Sequence, residues 1–238
     1  MKPARVHSWN VSPEEATAIQ VNLRPKVKVL PYDRPINLIG ATAVAFDTNN
    51  DTIHAVIVVV KYPEMSLVEQ FGISQEMRFP YISGLLAFRE GGPLIQLFHK
   101  VGKDPDLLMF HAHGQAHPRG FGLASHLGVL LDTPSIGMST KLLIGHHKEL
   151  DIEKGSHTPI LYQNQSIGTA LRSKEGVNPI YVSIGHKTDL ISSLRIVKEC
   201  TTHYRWPEPL RLAQLAVAKQ KSGQAVGPIE PSSQTTLF

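Results

Sequence analysis

Two short stretches of this chain hold side chains of the kinds that bind metals, move protons or grip nucleic acid. The first is Phe79-Pro80-Tyr81-Ile82-Ser83-Gly84-Leu85-Leu86-Ala87-Phe88-Arg89-Glu90. The second runs His111-Ala112-His113-Gly114-Gln115-Ala116-His117-Pro118-Arg119 and continues through Phe121-Gly122-Leu123-Ala124-Ser125-His126. His111 and His113 are two apart, so they share a face if the apolar strand before them continues that far. Glu90, His111 and His186, the last in Gly185-His186-Lys187, offer a His/His/carboxylate set. Such a set suits Zn²⁺, Mn²⁺ or Fe²⁺ better than Mg²⁺. The plainer reading gives His111 a local hydrogen bond and no metal. Taken alone, Pro80-Tyr81-Ile82 is an aromatic turn before a helix. Lys141, His146, His147 and Lys148 form a modest basic patch, as do Arg172, Lys174 and Lys187. All are plausible phosphate contacts, although any one alone is more often solvated charge.

The elements that must position these residues follow from local pattern. Ser12-Pro13-Glu14-Glu15 predicts a helix start with a capping box, and its stripe continues to about Val27. Asn37 to Phe46 reads as a buried strand, Asn49-Asn50-Asp51 as a turn, and Thr52 to Lys61 as a second strand rich in valine and isoleucine. Ser66 to Gln70 offers a third. Gly84 to Phe88 predicts a short helix broken by Gly91-Gly92-Pro93, with helical character resuming over Leu94 to Val101. Asp106 to His111 is another apolar strand, and Gly120 to Leu131 a helix with small residues on one face. Ser135 to Met138 and Ile180 to Ile184 are short strands. Thr188 to Thr202 and Pro209 to Gln220 are helices. Hairpins come first and strands alternating with helices follow. This predicts one α/β domain over residues 1–221 with a mixed sheet, and a disordered tail over 222–238.

Composition narrows the setting. A chain of 238 residues can bury a sizeable core. The formal charge of +4 permits a phosphate-backbone partner without demanding one. The single cysteine, Cys200, excludes an internal disulfide and a cysteine-only metal site, and reads as a small buried apolar residue in a reducing, cytoplasmic setting. The N-terminus lacks a signal-peptide stretch, and no run approaches the roughly 18 apolar residues that span a bilayer, so no membrane partner is expected.

The ordered series of words then resembles one family. Trp9-Asn10 with Glu14-Glu15-Ala16 and Gln20, Lys61-Tyr62-Pro63, the two stretches above, Leu131-Asp132-Thr133-Pro134-Ser135-Ile136-Gly137, Leu171-Arg172-Ser173, Asn178 to Ser183, Gly185-His186-Lys187 and Tyr204-Arg205-Trp206-Pro207-Glu208-Pro209 together look like endonuclease V, which nicks nucleic acid near deaminated adenine. The resemblance implies a ribonuclease H-like fold, a central mixed β-sheet flanked by helices. It implies that Pro80, Tyr81 and Ile82 form a wedge that fills the gap left by a flipped base. An aromatic stack there offsets part of a flipping cost of a few kcal/mol. Main chain near Gly84, Leu85, Ala112 and Leu123 would line the base pocket, with His117 beneath; the other reading of His117 is a structural histidine capping the Gly120 helix. Ser83 stands where the family usually has proline, and Ala112 where it has glycine.

The implied cofactor is Mg²⁺, held by two aspartates and a glutamate. Only Glu90 survives, because Ala43 and His111 stand in the aspartates' places. Asp47 and Asp51 are poor substitutes, since four residues of strand span about 13 Å. Asp106 lies before its strand. Lys141 is one residue beyond the family lysine, and such a shift within a strand would turn its side chain to the other face. His186 is retained. The expected partners are DNA or RNA carrying deaminated bases, in DNA repair, bound by a monomer. Three roles stay open: a binding protein with hydrolysis lost or weak and no metal; an active nuclease using Glu90 with His111 and His186 and Mn²⁺; and a non-catalytic interaction module.

Overall fold

The computed structural model describes residues 1–4 and 6–228. Ser12 starts the first helix, α1 (Pro13–Leu23), as the sequence predicts. Its hydroxyl accepts from the Glu15 amide and the Glu15 carboxylate accepts from the Ser12 amide, and a 3-10 turn follows over Arg24–Lys26. The strands are β1 (Leu38–Asp47), β2 (Thr52–Lys61), β3 (Ser66–Glu76), β4 (Leu107–Phe110), β5 (Ser135–Ser139), β6 (His157–Tyr162), β7 (Gln165–Leu171) and β8 (Ile180–His186). They form one sheet in the order β3-β2-β1-β4-β5-β8-β7-β6. β1 runs parallel to β4 and β4 to β5; the other neighbours are antiparallel. This is the mixed sheet of a ribonuclease H-like α/β fold.

Strand parity sorts the core into two layers. Ile57, Val59, Leu108 and Phe110 face α2 (Leu86–Phe98) and α3 (Leu123–Leu131). Ile39, Ala41, Ala43, Val56, Val58 and Met109 face the other way, toward α4 (Leu190–Glu199) and α5 (Glu208–Lys221). Because β2 is covered on both faces, its run of β-branched residues shows no alternation.

Four features differ from expectation. Helix α2 runs unbroken through Gly91, Gly92 and Pro93. The glycines are there for packing: a Cβ on Gly91 would lie 2.4 Å from the Trp9 ring. β3 extends to Glu76 along the whole of β2. The β6–β7 hairpin, which the sequence did not suggest, turns through Gln163 and Asn164, both at positive φ. Finally, the chain does not leave the domain at residue 222. Val226 is buried, its carbonyl accepts from the Gly72 amide at 2.8 Å, and its amide donates to the Gln220 side chain. The rest of the expected tail, residues 229–238, lies outside the described residues.

Candidate functional site

Two adjoining cavities open where β1 and β4 meet α2 and α3. The larger, about 260 Å³, is lined by Thr42, Ala43, Val44, Glu90, His111 and Leu123 among others. The smaller, about 130 Å³, is rimmed by Tyr81, Ile82, Ser83 and Gly84 and backed by His113, His117 and Leu123. Leu86 and Leu123 line both, so the two are neighbours.

The Tyr81 loop is held rigidly from below. Gly84 has φ +80°, a left-handed conformation that favours glycine. Its carbonyl accepts from Gln20 Nε2 at 3.0 Å, His117 Nε2 at 2.9 Å and Arg119 Nη2 at 2.6 Å. Gln20 also donates to the Phe121 carbonyl, which ties α1 to the second stretch. His117 therefore both lines the cavity and serves structure, though as a buttress of the loop and not as a helix cap. Its Nε2 donates to Gly84 and its Nδ1 accepts from the Arg119 amide, so neither nitrogen is left for a base. Burial lowers its pKa to about 4, with Arg119 and His113 adding to the effect against the Gly84 hydrogen bond. Above the buttress Tyr81 is 72% exposed, and Pro80 is exposed beside it. An outward aromatic on a braced turn has the form of a wedge. The Leu85 side chain is buried in the core, and its main-chain amide donates to the Ile82 carbonyl at 2.9 Å.

The Glu90 cavity differs from the predicted ligand set. The strand ends at Phe110, so His111 and His113 do not share a face. His111 lines the larger cavity and meets Trp206 edge-on at 4.5 Å. His113 turns to the smaller cavity, where its Nε2 bonds to the Lys141 carbonyl at 2.9 Å. Ala112 lines the Glu90 cavity and not the Tyr81 cavity. His186 is placed elsewhere altogether. It pairs with Ser135, which lies level with Leu108, two strands across from β4 and three residues short of His111. That separation is on the order of 14 Å. Its Nδ1 accepts from the Lys28 amide and its Nε2 lies 3.5 Å from Asp132, a structural role.

Ala43 borders the cavity, but its side chain belongs to the α5-side core. The polar β1 side chain on the Glu90 side is Thr42, whose strand partners Ile57 and Phe110 belong to the α2-side core. The sequence did not single out Thr42, because which parity faces α2 is settled only by packing. Asp47 is spent on the β1–β2 turn, accepting from Asn49 and Asn50, and Asp106 accepts from the amides of Asn37 and Leu38.

Glu90 is 9% exposed and lines the larger cavity. Burial pushes it up to about 8; the Arg89 guanidinium offsets only part of this, because it is turned to the Phe79 carbonyl and the Met77 sulfur. One edge of His111 is open to solvent, yet the protein packed round the ring lowers its pKa, with His113 and Arg205 adding to the effect. Mg²⁺ requires oxygen ligands in near-octahedral geometry, with carboxylate charge to hold it. One carboxyl that burial keeps largely uncharged, beside an alanine and a neutral imidazole, does not fit that ion. No group of three His, Cys, Asp or Glu side chains able to hold a metal occurs among the described residues.

The basic patches are also reduced. Lys141 lies past the end of β5, so its offset is not a change of strand face, and its side chain is exposed. Arg172 is committed to the carbonyls of Leu150, Asp151 and Val177, and Lys187 to Asp132.

The mixed sheet with helices on both faces, and two cavities at the junction of β1, β4, α2 and α3, define a ribonuclease H-like α/β protein. Residues 18–215 match the Endonuclease V family, to which the chain belongs. It is 40% identical to endonuclease V of Thermosipho melanesiensis, over 90% of this chain and 93% of that one. It is 38% identical to that of Trichormus variabilis, over 87% of this chain and 94% of that one. Among solved structures, endonuclease V of Bacillus subtilis superposes with a TM-score of 0.88 at 28% identity, covering 94% of this chain and 98% of that one. Endonuclease V of Ciona intestinalis, bound to a 24mer DNA containing an inosine followed by a ribo-adenosine, superposes at 0.79 with 30% identity, covering 88% of this chain and 98% of that one.

Proposed function

We propose that this protein recognises inosine-containing strands through the Tyr81 wedge and the adjoining pocket, in the context of DNA repair, and that phosphodiester hydrolysis is lost or weak. The observation that carries the second half is the Glu90 cavity, where one buried carboxyl, raised by burial to about 8, stands without a second acid in the lining. Metal-assisted hydrolysis needs an ion to polarise the phosphate and supply the attacking water, and this donor set does not fit the family's Mg²⁺. The first half is supported by the exposed Tyr81, its buttress and the inosine-bearing DNA held by the Ciona relative.

Glu90 and His111 do share a cavity, which supports a second reading as a two-ligand transition-metal nuclease. Cleavage of a labelled single strand carrying one deoxyinosine, with Mg²⁺ and separately Mn²⁺, beside a Glu90→Ala control, decides between them. The proposal expects no nick in either metal and retained preference for the inosine strand over its adenine counterpart. A nick near inosine that vanishes in the control would establish an active enzyme. Absence of any inosine preference would leave the interaction-module role.

A further inference from the structure

A third cavity, about 440 Å³, is larger than either site cavity and lies between the N-terminal segment, the end of β3 and α2. That volume is in the range of small-molecule sites. The N-terminal wall is pinned along its length. The Met1 amino group pairs with Asp104 at 2.7 Å, and the Ala4 amide donates to the Leu130 carbonyl at 2.8 Å. His7 Nε2 lies 2.7 Å from His126 Nε2, and Trp9 packs on the glycine face of α2. The cavity is therefore preformed.

Its lining combines flat rings with positive charge. The ring centroids of Trp9 and Phe79 lie 5.9 and 5.8 Å from that of Phe88. Two guanidinium groups, Arg78 and Arg89, stand against one acid, Glu76. Arg89 Nη1 and Nη2 are committed to the Phe79 carbonyl and the Met77 sulfur, but its Nε is buried with no partner among the described residues. Buried polar atoms are normally paired, so this leftover donor is a second sign of a missing ligand. At the rim Gln96 Nε2 donates to Gln75 Oε1 at 3.1 Å, and the two amides still carry a donor and an acceptor for the edge of a ring. Aromatic walls, surplus guanidinium and rim amides together fit a nucleotide, whose base stacks on the rings and whose phosphate meets an arginine. The cavity is also well placed. Phe79 is two residues from Tyr81, at most about 7 Å of chain. The Arg89 guanidinium lies 4.5 Å from the Phe46 ring, which lines the Glu90 cavity, so one wall divides the two spaces.

We propose that this cavity is an accessory nucleotide pocket. It takes one base of the bound strand beyond the wedge, stacked among Trp9, Phe79 and Phe88, with a phosphate on Arg78. The inference rests on the reading of this chain as a binder of inosine-containing strands, and adds a contact made away from the flipped base.

The test is anisotropy of a fluorescein-labelled single strand containing one deoxyinosine, with an abasic residue scanned through the flanking positions. The abasic residue removes a base and keeps its phosphate. In the parent, one flanking position should lose about tenfold in affinity. Gln96→Trp, at an exposed site on α2, sets an indole at the mouth and should erase that positional effect. Arg78→Ala, also at an exposed site, should weaken the intact strand about threefold and flatten its salt dependence. The same scan on an adenine strand separates the two readings, and calorimetry with dAMP separates a strand nucleotide from a free one. A flat scan with inosine preference retained and no dAMP binding overturns the pocket and leaves the inosine reading standing. A positional effect that persists in Gln96→Trp also overturns the pocket. A Gln96-sensitive position, in strands bound equally with inosine or adenine, supports the pocket and overturns the inosine reading. A flat scan with dAMP binding that Gln96→Trp blocks supports a nucleotide pocket and overturns the strand as its source. No binding of strand or dAMP overturns both.

Discussion

Replacing Glu90 by glutamine keeps the side chain's shape and removes its acidic proton. In the native fold the carboxyl is raised from the ordinary 4.5 to about 8, chiefly by burial. The folded state therefore keeps a proton that the unfolded chain releases above pH 4.5. An acid raised in this way gives stability at low pH, and that stability drains away as pH rises from 4.5 to about 8, then stays flat. The loss is about 1.4 kcal/mol per pH unit, or about 5 kcal/mol over the whole window. Between pH 6 and pH 9 the wild type should give up about 3 kcal/mol through this group. For a chain of this size that corresponds to about 6–12 °C in melting temperature. Glu90→Gln should lack this component, so the gap between variant and parent widens in the variant's favour from pH 6 to pH 9. Melts or denaturant titrations of both proteins across that range measure the double difference, in which all other titrating groups cancel. Parallel losses would mean that the carboxyl is already ionised at neutral pH and that some unseen cation compensates it. The same experiment with Mg²⁺ at pH 9 is a second check: an ion present at about 100 times its Kd stabilises by about 2.7 kcal/mol. Stabilisation of the parent but not of Glu90→Gln would refute the conclusion that the cavity rejects the ion.

Tyr81→Ala should leave stability within about 0.5 kcal/mol, because the ring is solvent-exposed, yet remove inosine preference while salt-sensitive background binding persists; competition between inosine and adenine strands measures it. Gly84→Ala places a Cβ 2.8 Å from Arg119 Nη2 at φ +80° and should cost about 1–2 kcal/mol in urea titration and loosen the wedge; unchanged stability would contradict the buttress. His117 and His126 are lowered by burial from 6.5 to about 4 and about 3. As pH falls from 6.5 to 4 the unfolded chain takes up protons that these rings refuse, so each removes about 3 kcal/mol of stability; His126→Leu should flatten that acid slope, and a slope as steep as the parent's would show that the ring protonates in the native state.

Local chemistry made much of the fold legible. The Ser12–Glu15 capping box and the β-branched β2 stood where their residues indicated, because each is decided within a few positions. The errors arose where packing overrides local preference. Gly91, Gly92 and Pro93 signal a break, but Trp9 lies against the glycine face and α2 continues. The β6–β7 hairpin has weak alternation and a Gln163-Asn164 turn, a poorer signal than Asn-Gly. At the site, pairing His111 with His113 assumed a strand that ends one residue too soon. The spacing of a motif led to Ala43, which lines the Glu90 cavity, but not to Thr42 beside it. Parity is fixed by the sheet's neighbours, and a single sequence does not name them.

The charge balance of the cavity argues in its own right. Three carboxylates converging at this depth would repel one another and would need a cation to stay ionised. With alanine and histidine in two of those places, burial pushes the remaining carboxyl up to about 8, and one such group supplies too little negative charge to hold Mg²⁺.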